Sequence, residues 1–364
     1  MAMNSTPDPA STSDRRRTLD DSSPGGASLA DRTLPGRLQQ LQELVMPDRI
    51  TPWARLMALL TLISNTGIIL TGGAVRLTAS GLGCPEWPRC TPDSWTSTQE
   101  MGMHGAIEFG NRMLTFVLVV ISVLMFLAVV RLWSSHRSLV VMTLLVAAGI
   151  PLQALIGGVT VWTDLNPWVV GLHFIASAAL VMIATMLWAR ISVELREQGR
   201  TGVRLVDGQT DELSRVMATA VLVTAALAVV LGTIVTGTGP HAGDPIAPRH
   251  AFAPELVTRL HVVPVWVLCA ALVVLLLRQT RLKTSGRQRR AVWLTVAAVL
   301  AQGALGYIQH FTGLPLLLVW LHMLGSALVI ITATLVWDRY CSRYVTLGLG
   351  GGGQSQRPVT EASR

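Results

Sequence analysis

The chain has 364 residues, of which 51% are hydrophobic and only 14% charged, and its mean hydropathy is +0.49. That balance excludes a water-soluble domain, whose surface draws on charged residues for about a quarter of the composition. A net charge of +8 would suggest a polyanion partner in a soluble chain, but here the arginines gather in short segments between apolar runs, so they report topology and give no reason to expect nucleic-acid binding.

Residues 1 to about 50 are rich in Ser, Asp, Pro, Gly and Arg, contain no apolar run resembling a signal peptide, and are expected to form a disordered cytoplasmic tail. Eight runs follow that are long enough to cross a hydrocarbon core, which takes about 20 apolar residues in a helix. They cover 53–75, 106–130, 139–161, 169–189, 216–235, 257–277, 291–308 and 316–337. The predicted fold is all-α, with eight transmembrane helices in two pseudo-symmetric four-helix bundles at 51–190 and 214–338. A cytoplasmic linker at 191–213 joins them, and a second disordered tail occupies 339–364.

Of the 29 Lys and Arg residues, five (Arg76, Arg89, Arg112, Arg249 and Arg259) lie on one side of these spans, and 24 lie in or beside the tails and the segments 131–137, 190–215 and 278–290. Positively charged loops stay in the cytoplasm, which places both termini there and puts Cys84 and Cys90 outside. An oxidising compartment permits a disulfide, and this pair in CPEWPRC, six residues apart, is the one local candidate among four cysteines.

The chain also repeats itself. QALIGGVTVWTDLNPWVVGLHFIASA in the third and fourth spans parallels QGALGYIQHFTGLPLLLVWLHMLGSA in the seventh and eighth, with 20 residues from Gln153 to His173 and again from Gln302 to His322. GGAVRLT and LGTIVTG hold equivalent places in the first and fifth spans. Halves of four spans have the same orientation and are expected to be related by an axis along the membrane normal. Superposition brings Asn111, His173, His261 and His322 to equivalent points, about five or six residues, or roughly 8 to 9 Å, below the outer boundary.

A histidine inside a span is costly unless it is paired, solvated or ligating. A single one reads most simply as a hydrogen-bonded packing residue, but three at one depth in duplicated positions favour ligation. Zinc wants a compact tetrahedron, whereas facing histidines on neighbouring helices, with Gly303, Gly306 and Gly325 nearby to make room, suit the axial positions of a haem. His261 and His322 form a complete pair; the first half offers His173 with Asn111, which leaves a weak or open sixth position. Glu108 lies one turn outward of Asn111. It is either a structural partner of Arg112 or Arg76 or a proton-handling group, and the second is the preferred expectation. Arg76 and Arg259 suit haem propionates or simple interfacial anchoring equally.

The motifs GGAVRLTASGLGCPEWPRC, IEFGNR, LQALIGG with LHFIASA, and LHMLGSA resemble the haem A synthase family of the bacterial CtaA type over about residues 53–337. The resemblance implies a plasma-membrane oxidoreductase acting on a CH group. It would oxidise the C8 methyl of the substrate haem O to a formyl group, with water as the oxygen source, and supply haem A for the terminal cytochrome oxidase. His261 and His322 match the iron ligands of a haem B cofactor, His173 a ligand in the catalytic half, Glu108 the functional glutamate, and Cys84 and Cys90 the outer disulfide. Asn111 departs from the family's histidine, and the fifth-to-sixth loop lacks a second cysteine pair. The partners implied are haem O, delivered by haem O synthase, an electron acceptor or donor, the lipid bilayer and further copies of the chain. The rival expectation is a di-haem cytochrome b that only passes electrons; a transporter would leave the aligned histidines unexplained.

Overall fold

A computed structural model describes residues 34–198 and 210–341. Among the described residues every long element is a helix: α1 Leu34–Val45, α2 Pro52–Leu77, α3 Gly102–Leu127, α4 Arg137–Trp162, α5 Pro167–Glu197, α6 Glu212–Thr238, α7 Pro254–Arg281, α8 Gly286–Phe311 and α9 Leu316–Cys341. Eight of them, α2 to α9, are long and apolar enough to cross a membrane. Each runs past the expected apolar stretch at one end or both, and α2, α5, α6 and α8 start from a capping side chain; α3 stops at Leu127, short of the expected end at 130. Proline, which needs no N–H partner in a first turn, opens α2, α5 and α7. Thr51 Oγ1 accepts from the Ala54 N–H at 3.3 Å, and Asn166 Oδ1 from the Trp168 N–H at 3.0 Å. Ser285 and Gln288 close a reciprocal capping box on α8.

Two boundaries differ from expectation. The segment before residue 50 is not wholly irregular, since α1 occupies 34–45, where leucines recur at helical spacing (Leu38, Leu41, Leu44). The linker expected at 191–213 is shortened from both ends, because α5 runs to Glu197 with Ile191 and Ser192 buried and α6 starts at Glu212. The remainder of both expected tails, 1–33 and 342–364, lies outside the described residues.

In the membrane portion, α2 packs on α3 and α5, and α4 on α3 and α5. Likewise α6 packs on α7 and α9, and α8 on α7 and α9. These sets meet where α5 touches α6 and α9, and where α2 touches α9. One apolar core gathers Ala54, Met57, Met125, Leu139 and Leu187; another gathers Leu268, Leu275, Val292, Ile330 and Val336. The outward faces stay apolar too, with Phe116 and Val120 on α3 and Val263 and Trp266 on α7 exposed, as a lipid-facing surface requires.

Candidate functional site

His173, His261 and His322 stand on α5, α7 and α9, each half-buried, and in all three Nδ1 is buried without a hydrogen-bond partner. Asn111 on α3 repeats the pattern, its Oδ1 buried and unpartnered. An unsatisfied buried polar atom costs about 1–3 kcal/mol. Its recurrence at four equivalent positions fits side chains that serve a group other than protein.

Glycine makes room beside each ring. A methyl group added at Gly157 would lie 3.4 Å from Cε1 of His173, one at Gly306 would lie 3.3 Å from His322, and one at Gly232 would lie 3.2 Å from His261. The 20-residue interval noticed in the sequence is a contact: Gln153 Nε2 donates to the His173 carbonyl at 3.1 Å and to Ser177 Oγ, and Gln302 Nε2 donates to the His322 carbonyl at 2.7 Å. Gly325 is required beside the second of these, since a Cβ there would fall 1.8 Å from Gln302 Oε1. Gly303, expected to serve the same pair, has nothing within 4 Å of its added Cβ.

Glu108 is buried and fully engaged. Its Oε1 accepts from Arg112 at 2.6 Å and 3.2 Å, and its Oε2 accepts from the Cys84 N–H at 2.5 Å. Arg112 continues into the loop between α2 and α3, donating to the carbonyls of Glu86, Arg89 and Cys84 at 2.9, 3.1 and 3.3 Å. Of the two arginines proposed as its partner, Arg112 therefore pairs with Glu108, while Arg76 donates to the carbonyls of His241 and Thr236 at 2.7 and 3.0 Å. Arg259 is exposed.

Cys84 and Cys90 are joined in a disulfide with both side chains fully buried. The loop they close carries Trp87, which lies over Gly158 so closely that a Cβ there would come within 2.5 Å of the indole. Trp162 meets the same indole edge-on at 5.3 Å and donates from Nε1 to the Trp87 carbonyl at 3.1 Å. The loop is thus seated on α4 next to Gly157, the residue beside His173. His250 packs on Gly237 and meets Trp168 at 4.3 Å. Burial first, and Arg76 second, hold its imidazole below the ordinary value.

Residue types alone do not point to Arg112 as a loop clamp or to the seat of Trp87, both of which depend on the return path of a long loop. The available signal is the adjacent pair Gly157 and Gly158 inside an apolar span, where small residues mark close approach.

Among the described residues no three His, Cys, Asp or Glu side chains converge to hold a bare metal ion. The donors instead are single imidazoles on separate helices, flanked by glycine, which fits the axial ligation of a haem.

Eight apolar helices with recurring histidine, glutamine and glycine positions define a multi-pass membrane protein of duplicated helical design. The chain belongs to the cytochrome oxidase assembly protein family COX15-CtaA, whose model matches residues 55–334. It is similar to the heme A synthase of Bacillus pumilus, 29% identical over 143 residues, covering 37% of this chain and 45% of that protein. It is also similar to the heme A synthase of Oceanobacillus iheyensis, 25% identical over 99 residues, covering 27% of this chain and 32% of that protein. The matched segments thus span less than half the length of either relative.

Proposed function

We propose that the chain is a haem A synthase of the plasma membrane, converting the C8 methyl of haem O to a formyl group. The observation that carries this reading is the set of three half-buried imidazoles, at equivalent helix positions, with unpartnered Nδ1 atoms and a facing glycine each. Membership of an oxidase-assembly family and similarity to two heme A synthases support it. The packing of α2 to α5 among themselves, and of α6 to α9, supports two four-helix bundles. The loop charges support cytoplasmic termini.

In this reading His261 and His322 would hold a haem B cofactor, and His173 would hold the substrate haem in the first half. Haem B, when bound, supplies one-electron transfer. The substrate methyl is hydroxylated twice, each step taking oxygen from water and releasing two electrons and two protons, and the geminal diol then loses water to leave the aldehyde. The electrons pass to an acceptor in the membrane. Asn111 is a poor iron ligand, so His173 would be the one strong donor to the substrate haem in the first half. Glu108, one turn from Asn111 and held by Arg112, would accept protons released by the reaction. The protein contributes orientation, exclusion of water and proton handling.

Expression in a host that makes haem O but lacks its own haem A synthase tests the activity. Haem A in the extracted membranes is the expected result. Haem B on the purified chain with haem O left unchanged would overturn it in favour of an electron-passing cytochrome b.

A further inference from the structure

The twelve-residue helix α1 is amphipathic, and its apolar side is exposed. Leu38, Leu41 and Leu44 recur at helical spacing within an arc of about 120°. They are 63%, 56% and 66% exposed. Gln39 and Glu43, one turn apart, stand on the opposite side. A helix of about 12 residues is marginal in water even with a favourable composition. Three leucines turned to water add to that cost. The helix therefore needs a surface on which its leucines are buried.

Its attachment decides which surface is within reach. Six residues, 46–51, separate α1 from α2, and they are not a free tether. Pro47 and Ile50 are buried, Ile50 in the same core as Met57, Met125 and Leu132. Arg131, between α3 and α4, donates to the Met46 carbonyl at 3.2 Å and pairs with Asp48 at 2.8 Å. Val45, the last residue of α1, is thus next to a backbone group fixed on the connection between α3 and α4. That connection carries the marks of a membrane boundary. Trp133, two residues beyond Arg131, is exposed, and the Arg137 guanidinium lies over its ring at 5.5 Å. Trp53 stands in the first turn of α2, at the same end of the helices. Tryptophan gathers at the headgroup level, where one side of its ring meets hydrocarbon and its N–H meets water.

We infer that α1 is an interfacial helix, lying along the membrane that the chain crosses with its leucine side sunk into the leaflet where α2 begins. In the orientation proposed above this is the cytoplasmic leaflet. Lipid is the partner because that surface begins one residue from the pinned carbonyl of Met46 and is present wherever the chain is inserted. An interfacial helix combines an apolar face with a polar one and has low overall hydrophobicity. The glutamines and glutamate behind the leucines of α1 meet that description. At 1.5 Å per residue the helix covers about 18 Å of the surface. The inference is independent of the haem reading, since it uses no residue of the candidate site.

The test uses the full chain in nanodiscs of phosphatidylcholine and phosphatidylglycerol, with Cys269→Ala and Cys341→Ala so that only introduced thiols react. Nitroxide labels are placed singly at Leu38→Cys, Leu41→Cys and Leu44→Cys, and at Gln39→Cys and Glu43→Cys. Power saturation of the electron paramagnetic resonance signal then measures collision with oxygen, which concentrates in lipid, and with a water-soluble nickel chelate, which does not. The ratio of oxygen to nickel access at the three leucine positions should exceed that at Gln39 and Glu43 by at least about threefold. Equal ratios at all five, with free access to nickel, overturn the inference in favour of a segment standing in water. Leucine positions shielded from both reagents overturn it in favour of a protein surface, a second copy where the shielding disappears in nanodiscs holding one chain each. Where the cysteine replacements do not fold, hydrogen exchange of the unaltered chain decides. Amides of residues 38–45 should exchange at least about tenfold faster in a variant carrying Leu38→Gln, Leu41→Gln and Leu44→Gln, and unchanged exchange overturns the inference.

Discussion

At the scale of residues, the pair Glu108 and Arg112 separates two roles that residue types leave open. A carboxylate within a span is legible as functional from sequence alone, because an ionised group in hydrocarbon is too costly to keep without a purpose. Its contacts are not legible, since they depend on the Cys84 N–H returning over 24 positions to reach it. Glu108→Ala and Arg112→Ala should each destabilise the protein by about 2–3 kcal/mol, because either leaves buried partners unpaired. The double variant should cost less than the sum by roughly 1–3 kcal/mol, measured by denaturation of the purified protein in detergent. Haem A formed per folded molecule then discriminates. Glu108→Gln falling well below Arg112→Ala supports proton handling, while equal values reduce Glu108 to a loop clamp. The glutamines show the same division: their spacing from the histidines is visible in the sequence, but the bond that explains the spacing is not.

At the scale of elements, the eight spans are legible because a membrane forces every backbone group into a helix about 20 residues long, a demand written in hydropathy. The helix ends are less so, since capping by Thr51, Asn166 and Ser285 extends them past the apolar stretch. Least legible is the loop between α2 and α3, where one aromatic side chain finds one glycine. Trp87 occupies the space a Cβ at Gly158 would need, 2.5 Å from the ring. Gly158→Val should therefore unseat the loop while leaving α4 helical, because valine is tolerated in a transmembrane helix. Hydrogen exchange is the measurement: amides of residues 84–94 should exchange at least about tenfold faster in the variant, equivalent to about 1.4 kcal/mol of lost protection. Unchanged exchange would mean that Glu108, Arg112 and the disulfide hold the loop without Trp87.

At the scale of the whole molecule, duplication explains why the same residues recur, and the departures from it show how the helices are tied to one another. His173 and His322 are equivalent, which makes Ala189 the counterpart of Asp338 and Arg190 the counterpart of Arg339. A strict repeat would put no acid opposite Arg190. Instead Arg190 Nε donates to Asp338 Oδ1 at 2.9 Å, joining α5 to α9, the helices that carry His173 and His322. The aspartate is 6% exposed, so the pair is buried on its acidic side. Removing one partner of a buried pair costs about 3–5 kcal/mol, whereas replacing both with apolar groups of similar volume is often neutral. Asp338→Ala should accordingly lower the midpoint of thermal unfolding sharply, and Arg190→Met with Asp338→Leu should recover most of the loss. Because the pair lies at the far end of α5 and α9 from the histidines, 17 and 16 residues along each helix, the double variant should keep its haem content as well as its stability. Haem lost from a stable double variant would instead mean that the alignment of α5 on α9, and with it the spacing of the two halves, is set by this charge pair and is transmitted along both helices to the ligands.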